Sequence, residues 1–495
     1  MVITRRDALN LIGKSTLLLP LGALSMGAGQ FSPQIQPFQQ PFRIPPVLNP
    51  VHSDSTGDYY EITMQQTQVE ILPGLSTKIW GYNGITPGPT IRAQRGRQSI
   101  VRFINNLPES MVIHLHGMAS LPQYDGYAED FIPFGYYKDY IYPNNRAATL
   151  WYHDHALHQT SRHVYMGLAG MYIIEDDLEL NLPLPKGDYD IPLIIQDKRF
   201  DSDGSLIFDD RRQRGLYGDI MLVNGVPYPR MEVANRKYRF RILNAGTSRT
   251  CQLQLSTKDD LIIIASDAGL LSAPVRTKNL RIGVAERYEF IIDFSKYPIG
   301  TQIVLQNPIF SSNIDSDSRT QQVMRFDVVR QESDDSDIPN TLRPVQIIPV
   351  SSAVRARTFR FGRGNQLWQI NNRTWDKNRV DANPSVGDVE IWNLVNTGGE
   401  WVHPVHIHLV DLQMIDRNGL PPLPYERGWK DVFLVESGQT VRVIAKYGPH
   451  AGKYMMHCHN LVHEDHDMMT QFEVGSGGAD PITTAKAKPL PAPPF

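Results

Sequence analysis

Four histidine pairs of the form His-x-His are the residues of this chain best suited to chemistry. They are His114–His116, His153–His155, His406–His408 and His457–His459. Random placement of the chain's 15 histidines would give fewer than about one such pair. Side chains two residues apart share one face of a strand, so both imidazoles of a pair point the same way, about 7 Å apart at their Cα atoms. Imidazole is a common ligand for copper, zinc and iron, and four pairs suit a cluster of ions better than a single ion.

Cys458, one of only two cysteines in the chain, lies inside the last pair. In a strand its side chain points to the face opposite His457 and His459. A thiolate there can bind a separate metal, while its neighbours reach the histidine cluster. Only a few covalent bonds would then separate the two sites, so we expect Cys458 to pass electrons from one to the other.

Residues near Cys458 supply the other ligands for such a metal. His463 and Met468 follow it in the chain, and His403 precedes the third pair. A thiolate, two imidazoles and a weak thioether are the ligands of a blue-copper electron-transfer centre. Met469, beside Met468, is either a core residue or a rival for the thioether position.

Short β-branched and aromatic runs separated by Gly, Pro and Asn turns dominate the chain, which is typical of β-sandwiches. Similar segments begin at Tyr82, Val223 and Ile370, and each leads into an alternating strand that ends in Asn. Their spacing predicts three similar β domains in tandem. We expect these domains at residues 50–180, 190–340 and 345–476.

The middle of the chain carries no histidine between Val164 and Val402. We therefore expect the second domain to hold no metal ligands. A site built from histidines must form where the first and third domains meet.

Composition and the chain ends narrow the class of protein. A formal net charge of -3 and a pI near 6.6 give no basic surface for nucleic acid, and two cysteines cannot form a disulfide framework. Residues 1–30 have a charged start with Arg5 and Arg6, followed by an apolar run too short to span a bilayer. This segment predicts an export signal of the twin-arginine type, and hence a periplasmic or extracellular location. Residues 477–495 predict a disordered tail.

The motifs HLHG, WYHDH, HPVHIH and HCHNLVHEDHDMM, in this order, resemble the copper motifs of three-domain multicopper oxidases. Around the last motif the chain is most similar to bilirubin oxidases and bacterial laccases of the spore-coat type. The resemblance implies an all-β fold of three tandem cupredoxin-like Greek-key β-sandwich domains. It also implies four copper ions, namely one type 1, one type 2 and two type 3.

The resemblance implies a ligand set by motif position. The type 1 copper would be held by His403, Cys458, His463 and Met468. The type 2 copper would be held by His114 and His406. The type 3 pair would be held by His116, His153, His155, His408, His457 and His459.

Two acids match positions where the family has carboxylates near the cluster. Asp125 lies eleven residues after His114, and Glu464 directly follows His463. Reduction of O2 to water consumes protons, so each acid is expected either to relay protons or to orient a ligand histidine. Asp154, between two histidines, is expected to face away from the cluster.

The function implied is oxidation of a small aromatic donor, such as a phenol, an aromatic amine or a bilirubin-like tetrapyrrole, with reduction of O2 to water. Trp401 and the loop Pro421–Asp431 are expected to flank the donor pocket, although Trp401 could equally pack in the core. The alternatives are a cuprous oxidase, a non-catalytic scaffold on the same fold, and a one-electron carrier or copper store. The 15 scattered methionines disfavour the first of these, and the full ligand set disfavours the others. We expect a monomer with no membrane span.

Overall fold

A computed structural model describes residues 31–211, 214–308, 317–399 and 401–495. The expected export signal at residues 1–30 lies outside this part of the chain. None of the described helices has the length and apolarity that crossing a bilayer requires. The α-helices are Thr160–Met166, Asp177–Asn181 and Leu461–Asp465. The 3-10 helices are Pro122–Tyr124, Gly187–Tyr189, Phe294–Lys296, Ser318–Gln321, Val350–Ser352 and Pro424–Glu426.

The first β-sandwich consists of two sheets that share an apolar core around Phe103, Leu115 and Tyr152. One sheet contains His52–Ser53, Gly57–Glu70, Ser76–Tyr82, Gln98–Asn105, Tyr136–Tyr142 and Lys488–Pro489. The other contains Ile91–Gln94, Ile113–His116, Ala148–Asp154 and Ala169–Glu175. The second sheet carries the first two histidine pairs, which are buried with it.

The second β-sandwich has the largest core, with Phe240, Phe290 and Phe326 at its centre. Its seven-stranded sheet contains Asp190–Lys198, Ile220–Val223, Val226–Pro227, Lys237–Asn244, Leu261–Ser266, Gly269–Thr277 and Arg287–Asp293. Its five-stranded sheet contains Arg230–Ala234, Cys251–Leu255, Leu280–Ile282, Gln302–Gln306 and Gln322–Arg330. Cys251 is buried in this core, as its apolar surroundings in the sequence indicate.

The third β-sandwich holds Cys458 in its core, together with Trp392 and Phe472. One sheet contains Arg355–Gly364, Leu367–Ile370, Val389–Asn396, Gln413–Arg417 and Thr440–Lys446. The other contains His403–Ile407, Val432–Val435, Gly452–Cys458 and Met469–Val474. This second sheet carries the last two histidine pairs, so the two histidine-bearing sheets belong to the first and third sandwiches.

The same asparagine device ends one central strand in each sandwich. Asn105, Asn244 and Asn396 each accept a hydrogen bond at Oδ1 from the amide two residues later, at 2.8, 3.0 and 3.2 Å. Each also donates from Nδ2 to two main-chain carbonyls of the segments that follow. This Asx turn closes the strand and anchors the next loop, which explains why all three repeated segments end in Asn.

The tail at 477–495 has a fixed course, in contrast to the disorder expected from its composition. Lys488–Pro489 pairs antiparallel with Tyr136–Tyr142 at the edge of the first sandwich. The Phe495 ring lies under the guanidinium of Arg102, 3.9 Å from its Cζ. Strand pairing and this cation–π contact give a segment of low hydrophobicity enough interactions to hold it in place.

Candidate metal centre

Strand register places the histidine pairs opposite one another. In the first sandwich His114 pairs directly with His153 across neighbouring antiparallel strands. In the third sandwich His406 pairs with His457 in the same way. The second histidine of each pair lies two residues further on, within the strand for His116 and one residue past the strand end for His155, His408 and His459. The two rings of each pair remain neighbours, so four imidazoles lie together at each sheet.

The imidazoles of the two sheets converge between the first and third sandwiches. His114 Nε2 lies 3.4 Å from His406 Nε2, and His155 Nε2 lies 3.1 Å from His457 Nε2. His408 Nε2 is 3.2 Å from the same His457 nitrogen. All eight histidines of the four pairs are buried, so they form one enclosed cluster.

Burial keeps these histidines neutral, which leaves a nitrogen lone pair for a metal. It lowers the pKa of His155 to about 4 and that of His457 to about 3. The pKa values of the others lie well below the ordinary value for the same reason. Neutral imidazole is the form that ligates copper.

Fixed partners at one nitrogen decide which nitrogen of each ring faces the cluster. His406 Nδ1 donates to the Asp431 carbonyl at 2.9 Å, and His153 Nδ1 donates to the Asp154 carbonyl at 2.7 Å. His408 Nδ1 contacts the carboxylate of Asp125 at 2.8 Å. Metal-binding histidines usually donate their other N–H in this manner, so Nε2 is the available ligand atom in these rings.

The donor set fits copper. Groups of three histidine nitrogens approach within 4.8 Å of one another, such as His155, His408 and His457. Among the described residues, His153 Nε2 and both ring nitrogens of His459 have no hydrogen-bond partner although they are buried. Unpartnered polar atoms of this kind are costly unless they hold a ligand.

A second group of metal-binding side chains surrounds Cys458 on the other face of its strand. Its Sγ lies 3.4 Å from His403 Nδ1 and 3.7 Å from His463 Nδ1. These three residues are fully buried. Burial raises the pKa of the Cys458 thiol, so a metal ion is required to hold the thiolate there.

The side chains of Met468 and Met469 pack into different apolar clusters. Met468 packs in the same apolar core as Cys458, and its amide donates to the His463 carbonyl at 2.9 Å. Met469 packs with Met455 and Tyr127 in a separate cluster. Of the two thioethers, therefore, only that of Met468 shares a core with the cysteine.

Aromatic side chains cover the Cys458 site on the side of His463. Trp401, half-buried, meets the His463 ring edge-on with centroids 6.0 Å apart. Trp368 stacks on the same ring, with centroids 3.7 Å apart. His463 Nε2 donates to the main-chain carbonyl of Arg214 at 3.0 Å, so a segment of the middle of the chain also reaches this side.

The acids singled out from the sequence lie against the histidine cluster. Glu464 is buried, and its carboxylate is 2.9 Å from His457 Nδ1 and 3.6 Å from His155 Nε2. Burial raises the pKa of Glu464 to about 7 and that of Asp125 well above its usual range. Asp154 instead points away from the cluster, where its carboxylate accepts from His163 Nδ1 at 2.7 Å.

The loop Pro421–Asp431 was expected beside the donor pocket, but its last residue lies at the histidine cluster. Asp431 contacts both His116 and His406. Its carboxylate is also paired with Arg287, a residue of the histidine-free middle of the chain. The sequence did not predict the roles of Asp431, Arg287 and Trp368. For Asp431 the one available signal was its position directly before the buried strand Val432–Val435; the sequence carried no such signal for the other two.

Comparison with known proteins agrees with this geometry. Family models described as multicopper oxidase match residues 63–179, 201–326 and 348–478. The chain belongs to the multicopper oxidase family. It is 43% identical over 480 residues to a bilirubin oxidase of Albifimbria verrucaria, a match that covers 91% of this chain and 83% of that one. It is 35% identical to a laccase of Bacillus subtilis, with coverage of 89% and 99%.

A solved structure supports the same assignment. The McoA multicopper oxidase of Aquifex aeolicus superposes with a TM-score of 0.81 at 33% identity, covering 88% of this chain and 99% of that one. The expected all-β cupredoxin fold is thereby confirmed. As a multicopper oxidase, the chain is a copper-binding oxidoreductase with O2 as its electron acceptor.

Proposed function

We propose that this multicopper oxidase takes single electrons from small aromatic donors at Cys458 and delivers them to O2, which is reduced to water, at the histidine cluster. The observation that carries the proposal is the two-sided strand Gly452–Cys458. Cys458 Sγ faces His403 and His463, whereas the adjacent His457 faces the cluster. One short stretch of backbone thus joins a thiolate site to a cluster of imidazoles.

We assign a complete ligand set for four copper ions to these two groups. The type 1 ligands are His403, Cys458, His463 and Met468. The type 2 ligands are His114 and His406. The type 3 ligands are His116, His153, His155, His408, His457 and His459. When bound, copper supplies one-electron redox chemistry at the first site and O2 reduction at the cluster.

The chain's own residues hold these ligands and exclude water. Cys458 is fully buried, so a donor cannot touch its sulfur. Trp368 and Trp401 pack against the ring of His463 beside it. His463 Nε2 instead donates to the Arg214 carbonyl at 3.0 Å, and this hydrogen bond offers a path for electrons from the surface side. We therefore place donor contact around Trp401 and Arg214.

Glu464 and Asp125 are proposed to supply and position protons at the cluster. Glu464 contacts His457 and His155, and Asp125 accepts from His408 through its carboxylate and from His114 through its carbonyl. Reduction of one O2 to water consumes four protons, and enclosed sites need positioned acids for this purpose.

The proposed donor class is supported by the half-buried Trp401 and by the relatives. A half-buried indole favours flat aromatic molecules. The bilirubin oxidase and laccase relatives support phenols, aromatic amines and a bilirubin-like tetrapyrrole as donors.

Export, oligomeric state and domain limits are part of the same proposal. Arg5 and Arg6 support a twin-arginine signal within residues 1–30 and a periplasmic or extracellular location. The cluster is completed by ligands from a single chain, which supports a monomer. We propose domains at 50–180, 190–340 and 345–476.

The deciding experiment is O2 uptake by copper-loaded protein, with a simple phenol and with bilirubin as separate donors. Four electrons per O2 and no peroxide are expected. O2 uptake with cuprous ion but with neither aromatic donor would show that the electron donor is cuprous ion rather than an aromatic molecule. Absence of uptake with every donor despite full copper would refute catalysis at this site.

A further inference from the structure

The guanidinium of Arg287 lies fully buried where the three sandwiches meet. Its Nε donates to the carbonyl of Thr149, in the first sandwich, at 3.1 Å. Its two terminal nitrogens donate to the carbonyls of Ala285 and Asp267, each at 3.0 Å. They also donate to the two carboxylate oxygens of Asp431, at 2.7 and 2.6 Å. All five N–H donors of the side chain are therefore used, which fixes its position.

Asp431 in turn contacts two histidines of the cluster through different atoms. Its carboxylate accepts from His116 Nε2 at 3.0 Å. Its main-chain carbonyl accepts from His406 Nδ1 at 2.9 Å. The two rings are therefore held by opposite nitrogens, and His116 turns Nδ1, rather than Nε2, towards the cluster. That Nδ1 has no hydrogen-bond partner among the described residues.

The backbone at Asp431 is held by the same middle sandwich. The buried carboxylate of Asp267 accepts from the amides of Asp431 and Val432, both at 3.3 Å. It also accepts from the amide of Arg287 at 2.8 Å and pairs with Lys430 at 2.8 Å. Both contacts of Asp431 to the histidines thus depend on residues of a sandwich that carries no histidine.

The carboxylate of Asp431 is close enough to His116 and His406 to be considered a metal ligand itself. Its geometry argues against that role, because both carboxylate oxygens already accept hydrogen bonds from the Arg287 guanidinium. One of the two also accepts from His116 Nε2. Carboxylates that hold the far nitrogen of a ligand histidine are common around metal sites.

We propose that Arg287 is a positioning residue of the cluster, which acts through Asp431 to fix the ring nitrogen that His116 presents to copper. The inference rests on the proposed role of His116 and His406 as copper ligands. The second sandwich would then contribute to the cluster by holding Asp431 in position beside His116 and His406.

The test compares Arg287→Gln with Arg239→Gln in full-length protein loaded with copper. Arg239 is a matched control because it lies on the neighbouring strand and is also buried in ion pairs, with Glu179 and Glu289, away from the histidines. Copper per chain under competition with a chelator, the blue absorption of the Cys458 site, and the electron paramagnetic resonance spectrum of the cluster are measured on each. Arg287→Lys is the conservative variant.

For Arg287→Gln we expect roughly 10- to 100-fold weaker copper binding at the cluster and an altered cluster spectrum, with the blue absorption unchanged. Arg239→Gln should leave both spectra as in the wild type. Arg287→Lys retains the charge but supplies fewer N–H donors, so its copper affinity should lie between those of the wild type and Arg287→Gln. If Arg287→Gln does not fold, Arg287→Lys replaces it in the comparison.

Two results would overturn the inference while the proposed function stands. One is wild-type copper affinity and an unchanged cluster spectrum in both Arg287 variants. The other is equal loss of blue and cluster copper in both Arg287 variants and Arg239→Gln, which would indicate a purely structural role. Failure of the wild type itself to bind copper at the cluster would instead overturn the proposed function.

Discussion

The indole of Trp368 stacks on the imidazole of His463, with ring centroids 3.7 Å apart and planes 27° apart. Both rings are fully buried. The indole therefore excludes water from one face of a proposed copper ligand and restricts how that ring can turn.

Replacing Trp368 by Ala should lower the free energy of unfolding by about 3–5 kcal/mol, because a large buried ring is lost and a cavity remains. Trp368→Phe should retain most of the stability but shift the blue absorption and the redox potential of the Cys458 copper. Denaturant unfolding and visible spectroscopy measure these effects. Trp392→Phe is the control, since that indole stacks on Tyr447 in the same core. Equal spectral shifts in both Phe variants would contradict a specific effect on His463.

Replacing Cys458 by Ser should abolish the blue absorption and the oxidation of aromatic donors, and should remove one copper ion per chain. The histidine cluster should keep its copper, because the Cys458 side chain points to the opposite face of the strand. Metal analysis and O2 uptake test this expectation. Cys251→Ser, which changes a cysteine buried in the second sandwich, should retain the blue centre. Donor oxidation at the wild-type rate in Cys458→Ser would eliminate the proposed electron path.

Replacing Glu464 by Gln should slow O2 reduction by roughly 10²- to 10⁴-fold, since an amide fits the space but cannot supply a proton. Copper content should be unchanged. Under anaerobic conditions a donor should still bleach the blue centre at the wild-type rate, whereas recovery of the colour on adding O2 should be slow. Glu426→Gln, a buried acid paired with Arg417, is the control. Normal colour recovery in Glu464→Gln would exclude a proton role.

The free energy of unfolding should depend on pH through Lys198, independently of copper. Burial lowers its pKa to about 7, with its Nζ against the carbonyl and the ring of Tyr165. In the unfolded chain it holds its proton to about pH 10. Between these values the unfolded state binds more protons, so stability rises with pH, by on the order of 1 kcal/mol per pH unit; below about pH 7 this slope disappears.

Lys198→Met should remove that slope, and Lys78→Met, at an exposed position of a strand, should not. Urea denaturation at several pH values between 7 and 10 gives the comparison. The prediction fails if the wild type and Lys198→Met show the same dependence of the denaturation midpoint on pH.

The convergence of the histidine pairs was predictable because its signal is local. Alternation along a strand depends only on neighbouring residues, so the His114 and His116 side chains must share a face wherever the strand lies. The lack of histidine in the middle of the chain likewise indicated that the cluster forms between the outer sandwiches.

The residues that hold the cluster histidines in place were not predictable, because their contacts join distant parts of the chain. Asp431 lies 315 residues from His116, and Arg287 lies 144 residues from Asp431. An arginine in a strand gives no sign of which carboxylate it will meet. The path of residues 477–495 was not predicted for the same reason. Its contacts are with the strand Tyr136–Tyr142 and with Arg102, and the composition of the segment does not reveal them.

The pairing of Lys488–Pro489 with Tyr136–Tyr142 has a consequence for biosynthesis. Domains emerge from the ribosome in order, and the first sandwich can fold long before residue 488 is translated. Until then the edge strand Tyr136–Tyr142 offers unpaired main-chain groups on which another nascent chain could add. Because the histidines of the third sandwich emerge after those of the first, the proposed copper cluster can be completed only once His459 has been translated.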